Sequence, residues 1–394
     1  MNTVDLLARI AAIAAGLRAV RQDIHRHPEV AFNERRTAGI VARLLREWGI
    51  EVYEGLGKTG VVGVIRAGDS PRSIGLRADM DALPIREASG VAYASVHDGI
   101  AHSCGHDGHT TMLLCAARYL AETRRFSGTV RLIFQPAEEG RAGARAMIED
   151  GLFEQHPCDE IYALHNWPAL PPGTIATRPG PIMAAADRFE IVVRGTGGHA
   201  AQPHLVSDTV LCAAQIVTSA HTLISRRIDP SANAVLSITR IQGGASHNVL
   251  PSEVRLTGAV RSFDPSVQNK IEASLREVVE GIGKAAGCST ELEYIRYYPP
   301  TVNDAQCAAH VLEAARALFG TALLADSPAA TAEDFAFMLE EVPGAYVWLG
   351  QGRGASNPQL HDPAYDFNDE VLPHGAALLA ALVESRLTAR HVLS

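Results

Sequence analysis

The sequence has little that would suit a membrane or a nucleic acid. No apolar run reaches the eighteen or so uninterrupted residues that a membrane-spanning helix needs. Basic residues are outnumbered, since 35 Lys and Arg stand against 44 Asp and Glu and give a formal net charge of -9. No stripe of Lys or Arg offers the footprint that phosphates would require. We therefore expect no membrane span and no nucleic-acid partner.

The N-terminus also lacks the pattern of a secretory signal. Asp5 lies where a basic segment would be expected, and apolar residues recur at helical spacing over residues 4–24. The six cysteines are scattered along the chain rather than grouped in a disulfide pattern, which is typical of reduced thiols. These features favour a cytoplasmic protein.

The chain does have the length and composition of a two-domain globular protein. At 394 residues it exceeds the size at which a single core keeps growing, and its 47% apolar content is ordinary. Helices alternate with short apolar strands in residues 1–181 and again in 296–394, which predicts an α/β domain with a mixed sheet flanked by helices. Residues 182–295 show the order strand, helix, two strands, helix, strand, which predicts an inserted ferredoxin-like α+β domain.

Polar residues follow several predicted strands of the first domain at the point where each strand ends. Asp79 and Asp81 follow the strand predicted over 74–78, Glu138 and Glu139 follow that over 130–134, and His165 ends that over 161–164. Ligands gather at the carboxyl ends of the strands in such sheets. These sequence-distant groups are therefore expected to meet at one edge.

The run 102–109, His-Ser-Cys-Gly-His-Asp-Gly-His, is the densest of the polar clusters. Imidazole, thiol and carboxylate groups are costly to bury without a partner, and this mixture suits Zn, Mn, Ni or Co better than Mg or Ca. Cys104 and His106 are the strongest ligand candidates, because Gly105 allows a sharp turn that can direct both to one ion. His102 and His109 could instead orient ligands or cap a helix.

The adjacent carboxylates Glu138 and Glu139 would complete a metal-assisted hydrolase. One carboxylate can bind a metal while its neighbour takes a proton from the attacking water. On an exposed loop the same pair would have no such function, so the prediction depends on the metal. Asp79 and Asp81 are expected either to cap and pair with nearby arginines or to orient a histidine ligand.

Two other features are predicted to be structural. The segment Gly55-Leu-Gly-Lys-Thr-Gly60 has the spelling of a dinucleotide-binding turn, but an apolar strand follows where a helix should begin. Its glycines are therefore expected to shape a tight turn. Five further histidines are assigned to turns and surfaces: His25, His27, His97, His204 and His247.

Taken together, the motifs resemble those of the M20 metallopeptidases, and within them the amidohydrolase branch that contains hippurate hydrolases, N-acyl-amino-acid amidohydrolases and hydrolases of indoleacetyl-amino acids. The similarity runs along nearly the whole chain. It is carried by Asp23-Ile-His-Arg-His-Pro-Glu29, Leu76-Arg-Ala-Asp-Met-Asp81, the run 102–109, Phe134-Gln-Pro-Ala-Glu-Glu-Gly140, Gly198-His199, Asn248-Val-Leu-Pro251 and Glu333-Asp-Phe335.

The resemblance implies a catalytic domain with two divalent metal ions per subunit, a lid domain that also forms a homodimer, and hydrolysis of an amide beside a free carboxylate, as in N-acyl amino acids. It implies that Glu138 is the general base and that His199 reaches the partner's site and polarises the scissile carbonyl. The other implied roles are metal binding by Cys104, His106, Glu139, His165 and His361, and recognition of the substrate carboxylate by Asn248 and Arg261.

One departure from the wider family affects the metal site. Asp79 stands where a histidine ligand is usual elsewhere, and Cys104 with His106 occupy the later motif, a change that the amidohydrolase branch shares. The group that bridges the two metals therefore stays open. Three other functions also stay open: a dipeptidase on the same scaffold, a metal-binding protein without activity, and a cysteine hydrolase with Cys104 as nucleophile.

Overall fold

The structure is a computed structural model and describes residues 3–354 and 357–388. Its strands, numbered in chain order, are β1 Glu51–Leu56, β2 Gly60–Ala67, β3 Ser73–Asp79, β4 Gly128–Gln135, β5 Glu160–Trp167, β6 Ile175–Thr177, β7 Gly180–Met183, β8 Ala185–Arg194, β9 Gly198–His199, β10 Ala234–Gly243, β11 Val249–Leu250, β12 Glu253–Ser262, β13 Ser289–Tyr298, β14 Thr301–Asn303, β15 Leu323–Leu324 and β16 Gly344–Gly350.

The helices are numbered in the same way, and short 3-10 turns occur at Pro203–Leu205 and Asp369–Val371. No helix in the described ranges is both long and apolar enough to cross a membrane. The helices are α1 Thr3–Arg26, α2 Arg35–Glu47, α3 His106–Thr123, α4 Glu138–Arg141, α5 Gly143–Glu149, α6 Leu152–Gln155, α7 Thr209–Arg227, α8 Pro265–Ala285, α9 Ala305–Phe319, α10 Phe335–Glu341 and α11 Leu372–Arg386.

The chain divides into two compact units. The large unit comprises the described residues up to Gly180, Val302–Ser327 and those from Asp334 onward, and the small unit comprises Pro181–Thr301 and Pro328–Glu333. The insert predicted over 182–295 would end inside β13. The small unit continues beyond that point because the whole of β13 pairs with β8 and completes its sheet.

The large unit is built on a mixed sheet with the strand order β1-β2-β4-β3-β5-β16-β6-β15. Its four middle strands β4, β3, β5 and β16 are parallel neighbours, so their carboxyl ends lie at the same edge. β3, β16 and nearly all of β5 are buried, which matches their continuous apolar sequences. Helices α1, α3, α9 and α11 share one apolar core with this sheet.

The small unit contains an antiparallel sheet with the order β10-β12-β8-β13. Along the chain its main elements are β8, α7, β10, β12, α8 and β13, the ferredoxin-like order. Helices α7 and α8 cover one face through a core that includes Phe189, Ile216 and Leu275. The predicted fold class, an α/β domain with a mixed sheet and an inserted α+β domain, is thus confirmed.

Two side chains of α7 allow a matched test of the small unit's core. Ile216 is fully buried in the core, whereas Leu211 on the same helix is 56% exposed. We expect Ile216→Ala to lower the free energy of unfolding by about 2 to 5 kcal/mol, because it removes buried apolar contacts and leaves a cavity. Leu211→Ala should change it by less than about 0.5 kcal/mol. Urea unfolding followed by circular dichroism measures both, and equal losses would place Ile216 outside the core.

Candidate metal centre

The polar residues at the strand ends meet as predicted. Asp79 is the last residue of β3, His165 lies two residues before the end of β5, and Glu138 follows β4. The turn that precedes α3 brings Cys104 and His106 to the same edge of the sheet, where Cys104 Sγ lies 3.4 Å from His165 Nε2. This edge is therefore the candidate functional site.

The turn before α3 depends on Gly105. Its φ of 94° lies in the left-handed region, and a Cβ at this position would lie 2.3 Å from Asn166 Oδ1. Only glycine combines this backbone conformation with so close an approach. Cys104 and His106 can thus flank a single sharp turn and face the same space.

Asp81 holds three parts of the site together. Its two carboxylate oxygens accept the backbone N–H groups of Glu138 and Glu139, each at 3.0 Å. Its Oδ1 also lies 3.3 Å from His106 Nδ1. Because Nδ1 is engaged by a carboxylate, Nε2 is the nitrogen of His106 that remains available to a metal.

The turn that carries Glu138 has unusual backbone angles on both sides. Ala137 and Ala142 adopt left-handed conformations with φ of 56° and 54°. Glu34 stabilises the first of these, since its Oε1 accepts the Ala137 N–H at 3.0 Å. Glu138 itself is 7% exposed, and its Oε1 accepts the Asp334 N–H at 3.3 Å.

Asp334 is in turn held by residues of two strands. Its carboxylate accepts from Arg77 Nη2 at 3.0 Å and from Gln135 Nε2 at 2.8 Å, and also from the Ala144 N–H at 2.9 Å. The motif Glu333-Asp-Phe335 pointed to this residue without a role for it. The structure assigns it a contact with Glu138.

The donor atoms form two groups that share the Cys104 sulfur. One group consists of Cys104, His106 and His165, and the other of Cys104, Glu139 and His361. Within each group the donor atoms lie within 4.8 Å of one another. His361 Nε2 lies 3.3 Å from Glu139 Oε1. Five side chains can therefore serve two ion positions.

An unpaired buried atom shows that these groups fit divalent cations. His106 Nε2 is buried without a hydrogen-bond partner among the described residues and lies 3.9 Å from Glu139 Oε1, whose near neighbour is His361 Nε2, itself a candidate ligand, at 3.3 Å. Such an atom is costly to bury unless another group satisfies it. A thiol, imidazoles and a carboxylate make up a ligand set that suits Zn, Mn, Ni or Co.

The electrostatics of the centre also favour a cation. Burial and the Glu139 carboxylate raise the pKa of the Cys104 thiol well above its ordinary value. Burial alone would lower the pKa of His106, but Asp79 and Asp81 outweigh it and raise this pKa to about 10. The carboxylates thus attract positive charge, and a bound cation would stabilise the thiolate.

Asp79 and His109 lie next to this centre but bond chiefly to each other. His109 Nδ1 lies 2.6 Å from Asp79 Oδ1, and His109 Nε2 lies 2.5 Å from Asn166 Oδ1, so both ring nitrogens are engaged. Asp79 also accepts from Arg77 Nη1 at 2.8 Å. Burial would raise the pKa of Asp79, but His106, Arg77 and His109 hold it well below its ordinary value.

Two further histidines of the sequence motifs are buried, and one of them contradicts its assignment. His25, assigned to a turn or surface, is 1% exposed and bonds to carboxylates, so that assignment is wrong. His102 is equally buried, neither ring nitrogen has a hydrogen-bond partner among the described residues, and burial lowers its pKa to about 3. Neither environment could be foreseen, because periodicity does not place a polar side chain inside a core.

The structure also places the three predicted site residues of the small unit. His199 in β9 pairs with Val249 in β11, and the Ala200 N–H donates to the Asn248 carbonyl at 3.0 Å. His199 and Asn248 are therefore neighbours. Arg261 pairs instead with Ala186 at the start of β8, whereas β9 follows the end of β8. Asn248 and Arg261 thus lie near opposite ends of β8, and their recognition of the substrate carboxylate stays a prediction.

A second set of possible ligands lies at the opposite edge of the large sheet. Glu160, Cys307 and His310 bring their donor atoms within 4.8 Å of one another. However, the Glu160 carboxylate accepts from Arg386 at 2.7 and 3.0 Å and from Arg72 at 2.7 Å. Two guanidinium groups already neutralise this carboxylate, so the set offers no place for a cation.

The fold and the donor groups at the strand ends define a hydrolase of the metal-dependent class. Comparison with known proteins agrees, because the model of peptidase family M20/M25/M40 matches residues 75–385. The chain belongs to this family, and it is a metal-dependent hydrolase that acts on amide bonds.

Individual relatives span almost the whole chain. A hippurate hydrolase of Campylobacter jejuni is 38% identical over 381 residues, 96% of this chain and 98% of its own. An N-acetylcysteine deacetylase of Bacillus subtilis is 39% identical over 366 residues, 92% of this chain and 94% of its own. The fold also matches the crystal structure of the Bacillus subtilis YXEP protein, a dinuclear metal binding peptidase from the M20 family, with a TM-score of 0.85. The two chains are 36% identical, and the match covers 96% of this chain and 100% of that one.

The buried Glu34 carboxyl, which accepts the Ala137 N–H, predicts a pH dependence of stability. Burial raises the pKa of this carboxyl from 4.5 to about 7. The folded chain therefore binds the Glu34 proton more tightly than the unfolded chain, and stability falls as pH rises from about 4.5 to about 7. Across this window the free energy of unfolding of the metal-free wild type should fall by on the order of 3 kcal/mol relative to that of Glu34→Gln. Above pH 7 the difference should change little. Urea unfolding of both proteins from pH 4 to 8 measures the difference, and a constant difference would contradict the prediction.

Proposed function

We propose that the protein hydrolyses the amide bond of N-acyl amino acids and releases a carboxylic acid and a free amino acid. The observation that carries this proposal is the position of Glu138. It lies beside the two donor groups and forms a cluster of its own with His106 and Glu139. The hippurate hydrolase and N-acetylcysteine deacetylase relatives, both named for N-acyl amino acids, support the substrate class.

We propose two divalent metal ions per subunit, drawn from Zn, Mn, Ni and Co. Cys104, His106 and His165 would hold one ion, and Cys104, Glu139 and His361 the other. Since the sulfur belongs to both groups, Cys104 would help to hold either ion. The ions would supply Lewis-acid polarisation of the amide carbonyl when bound.

The residues around the ions are proposed to move and place the proton. Glu138 takes the proton of the attacking water and passes it to the departing nitrogen. The Asp334 N–H fixes one oxygen of Glu138, while Asp81 fixes its backbone. Asp81 also orients His106, and Asp79 is proposed to support the same edge through His109 and Arg77.

The small unit is proposed to act as a lid that forms the homodimer and supplies His199 to the partner's site. Arg261 lies opposite Ala186 at the start of β8, close in sequence to the unit boundary at Gly180. His199 follows the other end of β8, which is about 30 Å long. His199 and Asn248 are therefore proposed to enter the partner's site, while Arg261 binds the substrate carboxylate in its own subunit.

Strand β10 is proposed as the dimer contact. It forms an edge of the small sheet, so one row of its backbone groups has no strand partner within that sheet. Its side chains Val235 and Ile241 are 49% and 61% exposed. A second copy of this edge could pair with it by the same hydrogen-bond pattern.

We also propose a cytoplasmic location. All six cysteines are free in the structure, and four of them are buried. Unpaired thiols in this number are typical of a reducing compartment.

Replacing the proposed base separates chemistry from metal binding. Glu138→Gln should lower kcat by about 10² to 10⁴-fold with little change in metal content, because Glu138 is the proton acceptor and not an assigned ligand. Glu139→Gln is the matched control and should lose metal as well as activity. Elemental analysis and kinetics with N-acetyl, N-benzoyl and indoleacetyl amino acids measure both effects.

The same assays distinguish the other functions. Dipeptides cleaved in preference to the acyl amino acids would identify a dipeptidase, and a metal-loaded protein that cleaves none of these substrates would be a binding protein. Activity that resists chelators but is abolished by iodoacetamide would make Cys104 the nucleophile.

Mixing two inactive variants tests the proposed role of His199. His199→Gln and Glu138→Gln should each be nearly inactive alone, because each lacks one required group. In a mixed dimer, one site would combine an intact Glu138 with the partner's intact His199. Random exchange of subunits should then restore about a quarter of wild-type activity.

The control is a mixture of the single variant His199→Gln with a double variant that carries both His199→Gln and Glu138→Gln. This mixture offers no complete site in any arrangement. Sedimentation would establish that dimers form, and co-purification of an untagged variant with an affinity-tagged one after mixing would establish that their subunits exchange. A dimeric mixture that exchanges and stays inactive would place His199 in the site of its own subunit.

A further inference from the structure

The motif Asp23-Ile-His-Arg-His-Pro-Glu29 has no role in the function proposed above, yet the structure buries its first histidine beside the metal-binding turn. His25 Nδ1 lies 2.9 Å from Asp107 Oδ2, and His25 Nε2 lies 3.1 Å from Glu87 Oε1. Asp107 immediately follows His106, an assigned ligand. His25 therefore joins helix α1 to the first turn of α3.

Arg21 reaches the same carboxylate from one helical turn earlier. It is fully buried, and its Nη1 donates to Asp107 Oδ2 at 3.1 Å. The same guanidinium bonds to Asp366 at 3.3 Å and to Asp369 at 3.1 Å. Residues four apart on a helix face the same direction, so Arg21 and His25 converge on a single oxygen of Asp107.

The first turn of α3 has no side-chain cap of its own. Its N-cap residue is Gly105, which has no side chain and makes no cap hydrogen bond. Phe367 packs so closely against Gly108 that a Cβ at that glycine would lie 2.3 Å from the ring. Asp81 and Asp79 hold the side of this turn that faces the sheet through His106, His109 and Thr110, and the contacts of Asp107 hold the side that faces α1.

These contacts are costly to remove singly. Asp107, Arg21 and His25 are almost completely buried, and the carboxylates of Glu87, Asp366 and Asp369 surround the two basic groups. Removing one partner of a buried ion pair leaves the other charge uncompensated. A change at His25 or Arg21 should therefore displace Asp107, and His106 with it.

We propose that Arg21 and His25 are positioning residues of the metal centre: through Asp107 they hold the first turn of α3 in the orientation in which Cys104 and His106 face the same ion. The proposal rests on the proposed metal centre but concerns residues that contact no ligand atom. Its test therefore measures metal affinity separately from activity.

Two substitutions at His25 separate its two contacts. The amide nitrogen of Asn occupies the place of Nδ1, so His25→Asn keeps the contact with Asp107 and loses that with Glu87. The amide nitrogen of Gln occupies the place of Nε2, so His25→Gln keeps Glu87 and loses Asp107. Both variants lose the imidazole, so a difference between them reports the Asp107 contact.

We expect His25→Gln to weaken zinc retention by about 10 to 100-fold in competition with a chromogenic chelator, the usual effect of losing an outer partner of a ligand. His25→Asn should stay within about threefold of wild type. Kinetics with the best substrate of the panel should show the loss of His25→Gln in kcat rather than in KM. Arg21→Lys keeps the charge but not the guanidinium fork, so its zinc retention should lie between that of His25→Asn and that of His25→Gln.

The control is Arg18→Gln on the same helix. Arg18 also donates to Asp369, at 2.8 Å, but its side chain is 55% exposed and does not bond to Asp107. Arg18→Gln should leave zinc retention and kcat within about twofold of wild type. Near-ultraviolet circular dichroism and thermal unfolding of each variant establish that it is folded.

Equal zinc retention in folded His25→Gln, His25→Asn and Arg18→Gln would overturn the proposal and leave the cluster a purely structural role. The proposal also fails if His25→Asn loses as much zinc as His25→Gln. A wild-type protein that binds no zinc, manganese, nickel or cobalt would instead refute the proposed metal centre, a result that is distinguishable because it does not depend on the variants.

Discussion

The contacts of the Asp81 carboxylate are the interaction on which the candidate centre depends. A single side chain after β3 holds the backbone of Glu138 and Glu139 after β4 and the ring of His106 at the start of α3. Hydrogen bonds to a buried carboxylate are stronger than neutral ones, and three of them offset much of the cost of burying its charge. The geometry of three separate chain segments is therefore coupled through a residue that is not an assigned metal ligand.

Much of the fold could be predicted because its central strands are apolar and buried. The strands predicted over 74–78, 130–134 and 161–164 all lie within observed strands. Strand β1 was not predicted, because its largely exposed sequence lacks that signal. Helix α7 begins at Thr209, because the Asp208 side chain accepts the N–H groups of Val210 and Leu211 and caps the helix there, a start that periodicity alone does not fix.

The site could be predicted where the residue type itself carries the chemistry. Cys104, His106 and the carboxylate pair were identified because thiols, imidazoles and adjacent acids are rare together. Arg21 and Glu34 were missed, since nothing in the sequence marks an ordinary charged residue as buried. The positions of Asn248 and Arg261 near opposite ends of β8 could not be predicted, because a spacing of thirteen residues says nothing about which end of a strand each residue lies near.

The place of His361 in the chain has a consequence for synthesis. The fifth proposed ligand follows the small unit and the central strand β16, which lies between β5 and β6 in the large sheet. A ribosome must therefore make the small unit and β16 before the second group of donor atoms exists, whereas most of the small unit is a single continuous segment that emerges earlier. A growing chain that has not yet reached His361 can hold at most the first of the two proposed ions, and the centre is completed only after β16 has been made.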